Sequence, residues 1–411
     1  MMKMVFHGVV LILVTTSNAF AADRSEIRAD LLVVGGTESG WVAAIQAARM
    51  GVNQIVLVND IEWLGGQFTA EALVAIDENR SEEETRRRSV KRLPSIPRSG
   101  LFKELADRIE QFNREKYGHP SPGNTIVGTT CRPAEAQAIF QQMIRPYVDR
   151  GQIRMITNHV PVTTQLSDDR NTLRAVRFRS TKASADELTV AAKVTIDASD
   201  WGDVIQLSHA DFDFGPDLKS QYGEPLAPER REGYPLTDMN PISYCMVLEE
   251  TDSENVIPRP TMYDERRYFN TTRLTKKEHQ ALPWPHRPIE AFSTVAELYR
   301  SRRIVDHVGL KNVKGPDLLL LCWFVQDYPL DVLPKHVVEA LENTEKGASK
   351  KNIVVMTPQQ RQIVFNDARQ HSLGMLHHLQ TTVHDRQRDD SHSFRRFRLS
   401  DEFRNVEADT R

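Results

Sequence analysis

Residues 30–69 read DLLVVGGTESGWVAAIQAARMGVNQIVLVNDIEWLGGQFT, and their order decides the fold. Leu31 to Val34 is a short apolar, β-branched run of the length of one buried parallel strand. Gly35, Gly36 and Gly40 follow at once. Trp41 to Met50 is alanine-rich with helical spacing, and Gly51 stops it. Ile55 to Val58 supplies a second strand. A glycine turn between strand and helix lets the backbone approach a pyrophosphate, held at the positive helix N-terminus. The usual spacing is G-x-G-x-x-G, and here Thr37 replaces the middle glycine. The acid that commonly holds a ribose hydroxyl falls at Asn59, with Asp60 beside it. The alternative is an ordinary βαβ turn.

A second glycine pair follows the second strand, in Leu64-Gly65-Gly66-Gln67-Phe68-Thr69. Far downstream stands Val194-Thr195-Ile196-Asp197-Ala198-Ser199-Asp200-Trp201-Gly202-Asp203. With these three motifs in order, the chain resembles the secreted bacterial FAD-dependent oxidoreductases of the glutathione-reductase-like superfamily. Their patterns are V-V-G-G-T-x-x-G, L-G-G-x-x-T and D-A-T-x-x-G-D, with Ser199 here where Thr is usual. The resemblance implies FAD as cofactor. It places FAD against Gly35, Gly36, Thr37, Gly40, Asn59, Asp60, Gly65, Gly66, Gln67, Asp197 and Asp203. It also implies a main-chain contact to the adenine side at His159-Val160.

The first 21 residues read as an export leader. Lys3 gives a positive start, Val9 to Val14 an apolar core, and Ala19-Phe20-Ala21 an A-x-A site before Ala22. An uncleaved anchor is the alternative, although the apolar run is short for a span. The expected location is periplasmic or extracellular, with no stable membrane insertion. The 411 residues leave room for two domains. A net charge of −3 gives no basic field for nucleic acid. Cys131, Cys245 and Cys322 lack C-x-x-C spacing, so no redox dithiol is expected, although one pair remains free to form. No metal-ligand pattern is apparent.

Residues 77–98 are strongly charged, a solvated loop or a lid. Gly100 to Tyr117 reads as an amphipathic helix with Leu101, Phe102, Leu105, Ile109 and Phe112 on one face. Pro133 opens a helix from Ala134 to Arg150. Ile153 to Thr157 is a strand, followed by a β-meander over Val160–Leu166, Leu173–Arg179 and Leu188–Ile196. Residues 205–330 are rich in proline and scattered aromatics (Tyr234, Tyr244, Tyr263, Tyr268, Phe269, Trp284) and read as a mixed α+β substrate domain. Asp331 to Lys346 and Thr357 to Thr381 read as helices, the latter with Thr357, Pro358 and Gln360 in a capping box. Residues 385–411 carry little apolar content and are expected to be poorly ordered.

The sequence therefore predicts an α/β protein: a Rossmann-like FAD-binding domain with a parallel sheet over residues 28–204, plus the substrate domain and a helical return over 331–384. The resemblance implies hydride transfer from a small organic or carbohydrate-derived substrate to flavin, with the electron acceptor unspecified. It points to Asp327 and Tyr328 as catalytic polar groups, and Arg132 is a candidate for an anionic group. Relatives close the FAD site with a C-terminal strand and glycine turn, and the last glycine here is Gly374, inside a helix. The expectation is a shortened chain, with a non-catalytic nucleotide-binding remnant or binding protein as the alternative. Some relatives carry a polysaccharide-lyase label, for which no residue constellation argues.

Overall fold

The computed structural model describes residues 26–73, 76, 98–123, 129–182, 186–215, 217–230, 239–265, 268, 295, 298–299, 303–307, 309–310, 314–322, 326–328, 330, 333–386 and 393–400. The leader, residues 77–97 of the charged loop, and Tyr234, Phe269 and Trp284 lie outside them.

The chain begins with β1 (Glu26–Val34), α1 (Glu38–Arg49) and β2 (Ile55–Val58). β2 is buried along its whole length, and each such side chain contributes about 1.5–3 kcal/mol by leaving water. α1 forms because alanines fill it and Thr37 caps it, its hydroxyl accepting from the Gly40 amide at 3.3 Å. The left-handed Gly51 ends it at φ +93°. Its buried face is Trp41, Ala44, Ile45 and Ala48, one stripe at helical spacing.

α2 (Gly100–Tyr117) and α3 (Pro133–Asp149) pack with α1 on one face of the sheet, around Phe140, Leu105 and Ile109. The Trp41 indole donates to the Phe140 carbonyl at 3.1 Å, and the two rings lie 4.7 Å apart. Phe102, expected on the buried face of α2, is instead 37% exposed, because the stripe runs through Leu101, Leu105, Ala106 and Ile109.

β3 (Ile153–Ile156), β4 (His159–Leu166), β5 (Leu173–Ser180) and β6 (Glu187–Asp197) complete a six-stranded sheet ordered β3-β2-β1-β6-β5-β4. The first four of these neighbours run parallel, and β5 and β4 are antiparallel. β6 therefore does two jobs. It closes the meander and pairs with β1 up to Val34↔Asp197, which brings Asp197 level with the glycine turn. After β6 come the short helices α4 (Asp203–Leu207) and α5 (Lys219–Tyr222).

A second antiparallel sheet, ordered β12-β8-β10-β9, is built from β8 (Met246–Glu250), β9 (Arg303–Val305), β10 (Leu318–Leu321) and β12 (Phe397–Leu399). A two-stranded ladder joins β7 (Ile242–Ser243) to β11 (Asp327–Tyr328). The helices α6 (Lys335–Thr344) and α7 (Pro358–His378) follow β11. Thr357 and Gln360 make the predicted capping box, with bonds of 3.2 and 3.0 Å. Met246 and Leu319 share one core with Met375 and Leu379 of the return and with Phe394 and Phe397. The expected substrate domain and helical return thus form one packed unit.

The expectation of a poorly ordered tail is corrected over residues 393–400. Phe394 and Phe397 are buried and β12 pairs with β8. The few apolar residues of that stretch, spaced within a charged background, fill the gap between α7 and β8. Gly374 is a packing glycine: a methyl group there would lie 2.2 Å from the Tyr268 hydroxyl oxygen.

Candidate cofactor and substrate site

Two glycine stretches and the end of β6 meet at the carboxyl ends of the parallel strands, where open α/β sheets bind ligands. The glycines are first of all demanded by the protein itself. A methyl group on Gly40 would lie 1.9 Å from the Gly35 carbonyl oxygen. One on Gly35 would lie 2.3 Å from the Ala198 carbonyl, and one on Gly36 would lie 2.7 Å from both Asn59 and Leu64. Gly65 and Gly66 have φ +98° and +46°, and a methyl group on Gly65 would meet the Phe140 ring at 2.7 Å. The Gly65 amide donates to the Gly36 carbonyl at 2.8 Å, joining the two stretches.

What the turn offers a ligand is its amides. Those of Glu38 and Ser39 precede the first main-chain bond of α1, from Trp41 to Thr37 at 2.9 Å. They point out of the helix N-terminus and suit an anion. Thr37 itself is occupied, its hydroxyl donating to the Ala198 carbonyl at 2.9 Å.

The structure places Asn59 differently from the ribose-holding position expected of it. Its side chain turns inward and is 5% exposed. Its oxygen accepts from the Gly36 amide at 2.6 Å, while its nitrogen donates to the Ile61 and Trp63 carbonyls at 3.0 and 2.8 Å. Asn fits here because the site needs one acceptor and two donors, which no carboxylate provides. The side chain of Asp60, by contrast, lies within electrostatic reach of Glu71 and Asp200.

Asp197 and Asp203 also have partners within the protein. Asp197 accepts from Ser199 (amide and hydroxyl), and its other oxygen caps α4 through the Val204 and Ile205 amides at 2.8 and 3.0 Å. Asp203 accepts from Arg361 of α7 at 2.9 Å, so this motif fastens the second unit to the first. Gln67 is exposed in the turn after Gly66. Val160 stands opposite Arg179 in β4, at the sheet edge.

Carboxylates that the motifs did not single out crowd the turn. Burial, then the charges of Asp200, Glu38 and Asp60, push Glu71 up to about 7. Burial, then Asp60, Glu38 and Asp203, push Asp200 up to about 6. Both residues are nonetheless exposed to solvent, so hydration and salt weaken these shifts. Glu38 sits so close to Gly66 that a methyl group there would lie 2.5 Å from its carboxylate. A charged residue inside the glycine turn, Glu38, was the legible signal.

The three catalytic candidates do not converge. Tyr328 is fully buried, and its hydroxyl donates to Asp367 at 2.8 Å, with His336 on the other carboxylate oxygen at 2.5 Å. Alternation along β11 sends Asp327 the other way, partly exposed, where the Ser243 hydroxyl donates to it. Arg132 caps α3 and reaches the Tyr117 hydroxyl, which donates to Glu135 at 2.6 Å. Asp327 and Glu71 come from different units, yet both bear electrostatically on Cys245.

A parallel sheet, a glycine turn opening a helix, and outward amides at its N-terminus define a dinucleotide-binding α/β protein. The chain belongs to the FAD dependent oxidoreductase family, whose signature matches residues 30–389. No curated protein matches it. Among solved structures, Thermovibrio ammonificans THI4 is 16% identical, covering 48% of this chain and 64% of that one, with a TM-score of 0.27. The 3-ketosteroid-delta4-(5alpha)-dehydrogenase of Rhodococcus jostii RHA1 is 14% identical, covering 44% and 47%, with a TM-score of 0.26. AlpK is 15% identical, covering 56% and 38%, with a TM-score of 0.28. The chain thus spans less than two thirds of each of these three structures.

The residues present fit FAD at its adenosine half. The Glu38 and Ser39 amides would hold the pyrophosphate, and Asp60, next after the inward-turned Asn59, would be the carboxylate for the ribose. Glu38, Glu71 and Asp200 oppose the same anion unless they are protonated. Among the described residues no helix is long and apolar enough to cross a membrane.

Proposed function

We propose that this protein is an oxidoreductase that removes a hydride from a small organic or carbohydrate-derived alcohol, at a rim where Glu71 and Asp327 both bear on Cys245. The supporting observation is the convergence of these two acids, one from each unit, around Cys245. FAD supplies the hydride acceptor. Asp327 is held by the Ser243 hydroxyl yet open to solvent, and takes the proton that an alcohol releases as it is oxidised. Glu71, half protonated near neutral pH, donates a hydrogen bond to a substrate oxygen or accepts one. The leader pattern supports export, so the substrate is met outside the cytoplasm. Arg132, which reaches Tyr117 of the same apolar cluster, would meet an acidic substrate group on that side.

The test is anaerobic mixing of the FAD-loaded protein with a panel of sugars, sugar alcohols and hydroxy acids, reading loss of the oxidised flavin band. The expected result is bleaching by at least one class, slowed at least tenfold in Asp327→Asn. Bleaching that is unchanged in Asp327→Asn would remove that residue from the reaction. Failure of every alcohol to bleach the flavin would sink the substrate class.

A further inference from the structure

The sequence spacing gave no reason to pair Cys245 with Cys322, yet the ladder does. β10 and β8 run antiparallel with Leu320↔Val247 and Leu321↔Met246 in register. The next step along both strands sets Cys322 directly opposite Cys245. Opposed antiparallel residues have Cα atoms about 4.5–5.5 Å apart and side chains on the same face. A disulfide spans Cα separations of about 4.4–6.8 Å. The two thiols are within hydrogen-bonding reach of each other, and they are unjoined in this structure.

The surroundings suit a bond that opens and closes. Both cysteines are partly exposed, against an apolar cluster of Ala72, Tyr117, Val247, Leu318 and Leu320. The β8–β10 ladder ends one step before this pair, and among the described residues pairing resumes at Asp327↔Ser243. One residue separates Cys245 from Ser243, whereas four separate Cys322 from Asp327. The unequal spacings keep this pair outside both ladders. The third cysteine differs in every respect. Cys131 is 2% exposed in another cluster, and burial pushes its thiol up to about 12.

We infer that Cys245 and Cys322 are a two-electron redox site, closing to a cross-strand disulfide by exchange with a small-molecule disulfide of the glutathione class. One cysteine thiolate attacks the glutathione disulfide, forming a mixed disulfide and releasing one glutathione thiolate. The second cysteine thiolate attacks the protein sulfur of that mixed disulfide and releases the second glutathione. The protein loses two electrons and two protons, and the oxidant is reduced to two glutathione thiols. The thiol of Cys245 is held above its usual range by its contact with Cys322, by burial, and by the negative charges of Glu71 and Asp327. Exchange at neutral pH is therefore slow, and equilibration takes correspondingly longer. Closing the bond ties β8 to β10 beside Glu71 and Asp327. That consequence for the substrate rim rests on the function proposed above, while the bond itself does not.

The experiment equilibrates the full-length protein in glutathione buffers from fully reduced to fully oxidised, quenches with acid, alkylates and maps the peptides. The expected result is a peptide pair joining residue 245 to residue 322, rising as a two-electron titration and lost again in reduced glutathione. Cys131 should alkylate only after unfolding, which serves as the internal reference. Cys245→Ser should leave Cys322 as a persistent glutathione adduct, since nothing resolves it. Recovery of both cysteines as free thiols at every ratio overturns the inference. So does a pair of separate glutathione adducts with no crosslink between them. The wild-type map decides alone if the variant does not fold. A crosslink that leaves alcohol oxidation unchanged would support the redox site and refute only its effect on the rim.

Discussion

The two sheets of this protein are built by different rules. In the first, β1 joins β2 through one helix and β4, β5 and β6 follow as hairpins, while β2 closes on β3 as Ile55↔Ile153 and β1 on β6 as Val34↔Asp197. The second pairs β9 with β10 across a short loop but gathers β8 and β12 from opposite ends of the unit, as in the pairing of Arg398 with Glu249. Near neighbours in sequence lose little chain entropy on pairing, so their pattern stands alone. Distant strands depend on whatever fills the space between them. The first sheet accordingly puts its strictest requirements on glycine turns, and the second puts them on large apolar side chains inserted late in the chain.

The largest expected effect tests the first rule. Gly40→Ala places a methyl group 1.9 Å from the Gly35 carbonyl, so the turn must open. Its cost should exceed about 3 kcal/mol, with FAD binding lost in the same variant. Denaturant titration alongside flavin titration reads both. A midpoint unchanged from wild type would mean that the turn has a second conformation of equal stability.

Next comes the strand that the sequence did not announce. Phe397→Ala removes a fully buried ring from β12 and should cost about 3–5 kcal/mol. Hydrogen exchange should then rise in β8 and spare β1 and β2. Protection lost equally in both sheets would show that they unfold as one body.

A smaller effect is expected at Asn59. Asn59→Asp keeps the acceptor for Gly36 but loses both donors to Ile61 and Trp63. An unmet buried partner costs about 1–3 kcal/mol. Asn59→Glu should likewise fail to raise FAD affinity, since the side chain is turned inward onto Gly36, Ile61 and Trp63. A gain in affinity for Asn59→Glu would return the ribose to this position.

The smallest effect is pH dependence. Folding raises Glu71 from 4.5 to about 7 and Asp200 from 3.8 to about 6. Between those values the folded state binds more protons than the unfolded one, so stability falls as pH rises from about 4 to 7. Bringing a pyrophosphate to the same carboxylates raises their affinity for protons further. FAD should therefore bind more weakly as pH climbs through about 6–7, and Glu71→Gln should flatten that slope. Calorimetry in buffers of different ionisation heat checks it, with net proton uptake on binding as the expected sign.

The sequence by itself determined the first half of this protein. LLVV, IVLV and the alternating runs of the meander are each contiguous patterns, legible as strands before their partners are known. Thr357, Pro358 and Gln360 likewise fixed a helix start, because a capping box is satisfied within four residues. The family signature over residues 30–389 is legible for the same reason. Only the tertiary structure decided the rest. It turned Asn59 inward, buried Tyr328 against Asp367, and drew Glu38, Glu71 and Asp200 around one turn. It also recruited Phe394 and Phe397 from a charged stretch and set Cys245 opposite Cys322. Most of these outcomes depend on a partner distant in the chain, and Asn59 depends on how the turn after β2 folds back on it. A side chain's partner across the fold sets its burial, its charge state and its hydrogen bonds, and no local pattern records which partner that is.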